Sequence, residues 1–358
     1  MSEPGLEFTL KKIDASQIDA GDALSFLSKR IYLTVLKFDC IIIDCTCQID
    51  KRGLPFFLGS ALRGAFGYSL KEQCCNHPDP LWRVALKECP KGCNCAYKTI
   101  FLSPAPLNLP PPYQGRTYKP HPFTLRAPWL SDIQRGRRFS FEITVIGEAH
   151  RAIAGFINGF ALAGEKGIKT NRLRFNFSVN AVHQLHPDGS GQIVWNAGEE
   201  FFDKGLDYIY LYEFINDKTV EIFHSGMDIR LNSPLDLVIG RSTIRHLEQI
   251  QEALLVSRLA SSLEELGVFW CGTPVLGGKP ALRSTLCTLP IELENEWIYE
   301  TRRLSVQEGN MMPLRGLMGT LRIRRPHQDT IRLLAAMLHI GIGQNKTFGF
   351  GRYDLYPI

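Results

Sequence analysis

Apolar residues recur along this chain in two periods, and the points where the period changes mark its elements. Ile331, Leu334, Ala335 and Leu338 follow helical spacing and run into Gly341, which reads as a helix stop. Beyond it, Tyr353 and Leu355 alternate with Arg352, Asp354 and Tyr356, the period of a strand. The same order occurs earlier. Ile153, Ala154, Ile157, Phe160 and Ala161 are helical in spacing, a segment rich in glycine and cations spans 164–172, and Leu173, Phe175, Phe177 and Val179 then alternate. A long strand is expected before each copy, at 138–146 and at 317–325. In the second, Leu317, Leu321 and Ile323 face one way, and Arg322 and Arg324 the other.

The early parts of the two halves also correspond. Residues 38–49 read as a strand followed by a helix over 55–74; residues 220–239 are strand-like and lead into a long helical stretch over 241–266. Each half can thus be written strand–helix–strand–strand–helix–strand, a split βαβ unit. The predicted fold is α+β: two tandem ferredoxin-like (RRM-like, βαββαβ) domains, with a cysteine-rich loop over 74–95 inserted in the first. The expected boundaries are an N-terminal extension over 1–35, a first domain over 36–216 and a second over 217–358. Residues 101–128 read as an irregular connection and 184–216 as a polar linker, with a middle strand expected near 282–289.

Composition sets limits on this picture. At 358 residues, 44% hydrophobic and 22% charged, the chain suits two domains that each bury a core. No apolar run approaches the ~20 residues of a membrane helix, and the start of the chain lacks the basic-then-apolar pattern of a signal peptide. A cytoplasmic protein without membrane contact is expected. The net charge of +5 is unevenly placed: nine Lys/Arg against three acids from Thr301 onward give that tail +6. A basic tail on a neutral body suits a polyanion. Of the ten cysteines, Cys45 and Cys47 are expected in the core with Ile41 and Ile43. Cys75, Cys89, Cys93 and Cys95 are candidate ligands of a structural zinc, although their spacing departs from paired CxxC motifs. A metal-stapled loop and a loop of free thiols are both open at this level.

The C-terminal loop carries four glycines, Gly341, Gly343, Gly349 and Gly351, with Lys346 between the pairs and Arg352 just after. Glycines let a backbone approach a ligand closely, and a nearby cation suits an anion. Neither of the two familiar phosphate loops fits, because both follow a strand and open a helix. Arg241 and Arg245, at i and i+4 of the expected long helix, are candidate phosphate contacts, as are Arg315, Arg322 and Arg324.

Several segments in order along the chain resemble one family. They are 57–67 (FLGSALRGAFG), the cysteine loop ending at Tyr97, 119–128 (KPHPFTLRAP), 312–321 (MPLRGLMGTL), 339–343 (HIGIG) and 347–353 (TFGFGRY). The chain resembles the CRISPR precursor-RNA-processing endoribonucleases of the RAMP superfamily. That resemblance implies cleavage of repeat RNA into guide RNAs without a catalytic metal. The substrate's own 2′-OH attacks phosphorus, leaving a 2′,3′-cyclic phosphate and a 5′-OH. The expected partners are repeat RNA, the guide RNA product and other subunits of a CRISPR effector complex. Many members place a histidine on the helix after the first strand, and this chain has none there. His339, at the end of the helix before the glycine loop, is the first catalytic candidate; His246 and the charge-stabilising Arg63 follow. The missing histidine also leaves open a non-catalytic RNA-binding subunit.

Overall fold

The computed structural model describes residues 20–47, 56–74, 95–109, 111–134, 138–169, 173–199, 206–215, 217–239, 242–244, 246, 250, 252–276, 291–304 and 310–358. In chain order the first half holds α1 (Ala20–Ser28), β1 (Tyr32–Cys47), α2 (Gly59–Cys74), β2 (Phe123–Arg126), α3 (Leu130–Gln134), β3 (Arg138–Ile146), α4 (Ile153–Lys166), β4 (Ile168–Lys169), β5 (Leu173–Leu185), β6 (Gly191–Asn196) and β7 (Ile209–Tyr210). The second holds α5 (Asp217–Phe223), β8 (Gly226–Leu231), β9 (Val238–Ile239), β10 (Ser242–Thr243), α6 (Glu252–Trp270), β11 (Ile291–Leu304), β12 (Met311–Arg324), α7 (Gln328–Ala336) and β13 (Tyr353–Pro357).

Two antiparallel sheets organise these elements. The first runs β2-β3-β1-β5-β4, and the second runs β11-β12-β8-β13. Within each, the main strands lie in the order second, third, first, fourth, with one helix after the first strand and one after the third. Both arrangements are consistent with ferredoxin-like units. Phenylalanines join helices to sheet in the first: Phe66 of α2 stacks on Phe160 of α4 at 4.3 Å, and Phe160 in turn packs on Phe38 of β1 at 5.2 Å. A Cβ on Gly159 would lie 2.7 Å from the Phe66 ring, so α2 and α4 meet closely because α4 carries glycine there.

The structure corrects several expectations from the sequence. The stretch over 101–128 contains the edge strand β2, and the polar segment after β5 folds back on it as β6, paired through Ala181 and Asn196. Residues 217–223 form α5 rather than strand, and the long helix begins at Glu252 rather than near 241, after the short strand β10. Ile43 is 66% exposed and Cys45 is exposed, although both were expected in the core. Leu36, Phe38 and Cys40 are buried while Lys37 and Asp39 are not, so the alternation of β1 carries Ile43 and Cys45 on the face turned away from the core. The expected middle strand near 282–289 lies outside the described residues. No described helix is long and apolar enough to cross a membrane.

The seam between the halves is built from the C-terminal loop. Phe348 and Phe350 pack with Phe57, Tyr299, Leu314 and Met318 in a small core of their own. The main core runs through both halves, and α1, expected as an extension ahead of the first domain, packs against α6 and α7 of the second.

Candidate nucleic-acid interface

The glycine loop is held in place by its own backbone. The amide of Gly341 donates to Met337, Ile342 to Gly351, Gln344 to Asp236 and Gly351 to Pro234, all at 2.7–2.8 Å. All four glycines have positive φ, between 73° and 88°. A Cβ on Gly351 would lie 1.7 Å from the Ile342 carbonyl oxygen, and one on Gly343 would lie 2.2 Å from that of Asp236. These four amides and two close approaches serve packing, where the sequence suggested that the glycines let the backbone approach a ligand.

Arg352 takes a similar role. Its side chain is buried, with Nε donating to the Leu125 carbonyl at 3.2 Å, Nη2 to Thr124 Oγ1 at 2.7 Å and Nη1 to the carbonyls of Leu338 and His339. The guanidinium therefore ties β2 of the first half to the turn after α7. It was expected to contact phosphate, and burial has turned it inward.

The tip of the loop points elsewhere. Lys346, Thr347 and Phe348 line a cleft of about 390 Å³ at the seam, together with His121, Arg258, Ser262 and Asp236. Lys346 Nζ donates to Ser262 Oγ of α6. Burial, reinforced by Arg352, pushes the Lys346 pKa down to about 8. Arg63 of α2 reaches the same place: its Nε donates to Thr347 Oγ1 at 3.0 Å, and its guanidinium stacks over Phe348 with the carbon 4.3 Å from the ring centroid. Its Nη2 lies 3.3 Å from His121 Nε2, while His121 Nδ1 lies 3.2 Å from the Ile100 carbonyl oxygen. A carbonyl only accepts, so the proton sits on Nδ1 and Nε2 is left as the acceptor for Arg63. Burial and then Arg63 push the His121 pKa down to about 4, so the ring is neutral at neutral pH.

The other candidates are distributed away from this cleft. His339 packs its ring on Phe214 at 4.7 Å, and its carbonyl accepts from Thr144 Oγ1 at 2.6 Å. Burial, then Arg352 and Arg126, push the His339 pKa down to about 4. His246 is 57% exposed and lies 3.5 Å from Glu296. Neither His339 nor His246 is among the described residues lining the cleft. Arg322 is gripped by Asp228 at 2.7 and 2.8 Å and by Glu294 at 2.8 Å; Arg324 pairs with Glu292 at 2.7 Å. Arg315 pairs with Glu300 at 2.8 Å and lines a larger cavity of about 800 Å³ beyond the Asn345–Asp236 hydrogen bond. These pairings offset the strand face that was expected to be basic. Arg241 and Arg245 lie outside the described residues, and the helix meant to carry them starts only at Glu252. Cys75, Cys89 and Cys93 are likewise outside them. Cys95 is described as a half-buried free thiol packed on the core.

His121, Arg258, Ser262 and Asp236 were not singled out from sequence as site residues. The first lies inside the 119–128 segment, but neither its order nor its spacing marks a partnership with an arginine 58 residues away.

A family model described as AF_1859_N, N-terminal domain, matches residues 36–205. No curated protein matches the chain in sequence. Among solved structures, a chain of a partial Cas6-RT-Cas1–Cas2 complex superposes with a TM-score of 0.51 at 11% identity, covering 92% of this chain and 47% of that one. The Cas6-RT-Cas1–Cas2 complex gives the same score and identity with 29% of its chain covered. This chain thus spans less than half the length of those two. Thermus thermophilus Cas6 aligns over 91% of this chain and 99% of its own at 11% identity, with a TM-score of 0.46. The fold is shared with the first two.

Proposed function

We propose that this chain is a Cas6-like endoribonuclease, built on two tandem ferredoxin-like units, that cuts CRISPR repeat RNA to make guide RNAs. Lys346 and His121 line one cleft at the seam, and Arg63 bonds behind them to its lining residues Thr347 and His121; this arrangement carries the reading. RNA cleavage by the adjacent 2′-OH requires a base for that hydroxyl, an acid for the departing 5′-oxygen and positive charge at the phosphorane. His121 is neutral at neutral pH but a weak base while Arg63 holds Nε2, and the proposal requires Nε2 to exchange that cation for the 2′-OH, which removes one of the causes that hold its pKa down. Lys346, with its pKa brought to about 8, is largely protonated at pH 7 and able to give one up. Arg63 supplies a guanidinium charge beside them. The products would be a 2′,3′-cyclic phosphate and a 5′-OH, with no metal in the reaction. The solved complexes that share this fold are named for Cas6, RT, Cas1 and Cas2, which supports Cas proteins as partners. A structural zinc on the cysteine loop belongs to the same proposal and is checked by metal analysis of the purified chain.

The test is cleavage of a labelled repeat hairpin in excess EDTA, with analysis of the product ends. Wild type is expected to cut and leave a cyclic phosphate, and His121→Ala and Lys346→Met to lower the rate at least ~100-fold, the usual scale for a proton-transfer residue. Unchanged rates in both variants would remove the cleft from the chemistry. Tight binding without cleavage by wild type would favour the non-catalytic subunit, a reading supported by the lack of histidine on α2.

A further inference from the structure

A second pocket lies on the other side of the Lys119–His121 segment from the cleft. Pro120 and His121 line the cleft, while Lys119 lines the pocket. The wall between them is fixed, because Trp270 Nε1 donates to the Pro120 carbonyl at 2.8 Å and the same indole lines the pocket. The pocket holds Lys98, Lys119 and Arg151 against a single carboxylate, Glu148. This contrasts with the strand arginines, which carboxylates on the neighbouring strands neutralise. The Lys119 ammonium sits 4.6 Å from the Trp270 ring centroid, a cation–π contact that holds it in place. Burial lowers the Lys119 pKa, so its charged form gains from an anion that arrives beside it.

We infer that this pocket binds the phosphate backbone of single-stranded RNA as the strand leaves the cleft across Pro120. The inference rests on the RNA reading above and adds where the unpaired part of the substrate runs. At about 530 Å³ the pocket has the size of sites that take one small ligand, enough for a nucleotide.

The experiment compares two RNAs, a repeat hairpin alone and the same hairpin with single-stranded tails, on wild type and on Lys98→Glu/Arg151→Glu. Lys119 is left intact so that its packing on Trp270 is undisturbed. Affinity is read by fluorescence anisotropy over a range of salt. The expected result is a tenfold or greater loss for the tailed RNA, with the hairpin unchanged within about twofold. The salt slope for the tailed RNA should fall by about 1.4, the value for two single-strand phosphate contacts. An equal loss on both RNAs, or none on either, overturns the pocket. Wild type that binds neither RNA overturns the RNA reading itself and the pocket with it. Lys98→Gln/Arg151→Gln repeats the comparison without reversed charge, and is expected to give the same selective loss in smaller size.

Discussion

The guanidinium of Arg352 is held by three backbone carbonyls and a threonine hydroxyl, drawn from β2 and from the turn after α7. A fork of five donors fixes that geometry, which a lysine cannot reproduce. Removing it strands buried carbonyls without a donor. We expect Arg352→Ala to cost about 3 kcal/mol or more, since each hydrogen bond to a charged group contributes about 1.5–3 kcal/mol. Chemical denaturation reads this directly. RNA affinity per folded molecule should be little changed; a selective loss of affinity with normal stability would return Arg352 to the phosphate-binding role that its position in sequence suggested. The residue type was legible in the sequence, but the direction it faces was not. Nothing local distinguishes an arginine beside a glycine loop that meets solvent from one that meets β2.

At the scale of elements, the strands and helices followed from apolar periodicity wherever both faces had settled partners. β3 falls where alternation put it, β12 begins at Met311, six residues ahead of the expected start, and α7 spans Gln328–Ala336, beginning before Ile331 and ending short of Leu338. β2 did not, because a four-residue edge strand inside a proline-rich connection gives too short a pattern to see. The glycine loop shows the converse: its glycines were legible, and their purpose was not. Gly351→Ala places a Cβ within 1.7 Å of the Ile342 carbonyl at a φ of 73°, whereas Gly189, at a φ of 82°, faces open space. Gly189→Ala should therefore cost only the backbone strain, about 1–2 kcal/mol, and Gly351→Ala clearly more. Equal unfolding midpoints for the two variants would show that the loop yields, and that its close contacts are not what requires glycine.

At the scale of the whole molecule, the seam carries two histidines held neutral. His121 and His339 both have pKa values pushed down to about 4, against an unfolded value near 6.5. Between those limits the unfolded chain binds more protons, so the stability from the neutral rings is complete above about pH 6.5. It is lost as pH falls toward 4. Thermal unfolding from pH 8 to 4.5 should show a falling midpoint below pH 6.5, and His339→Gln should flatten the fall. A midpoint independent of pH across this window would mean that neither ring is sealed from protons at the seam.

By itself, the sequence determined the two-part α+β plan, because apolar periods are local properties that a chain must satisfy wherever it folds. It also marked the glycine loop, since four glycines within eleven residues require unusual backbone. Only the tertiary structure decided what each cation meets. Arg322 and Arg324 meet carboxylates on neighbouring strands, Arg352 meets carbonyls from both halves, Lys346 meets Ser262 in the cleft, and Arg63 meets Thr347 and His121. The physical reason is that a charge is neutralised or left available by what lies within a few ångströms, and those neighbours are set by packing between residues distant in sequence.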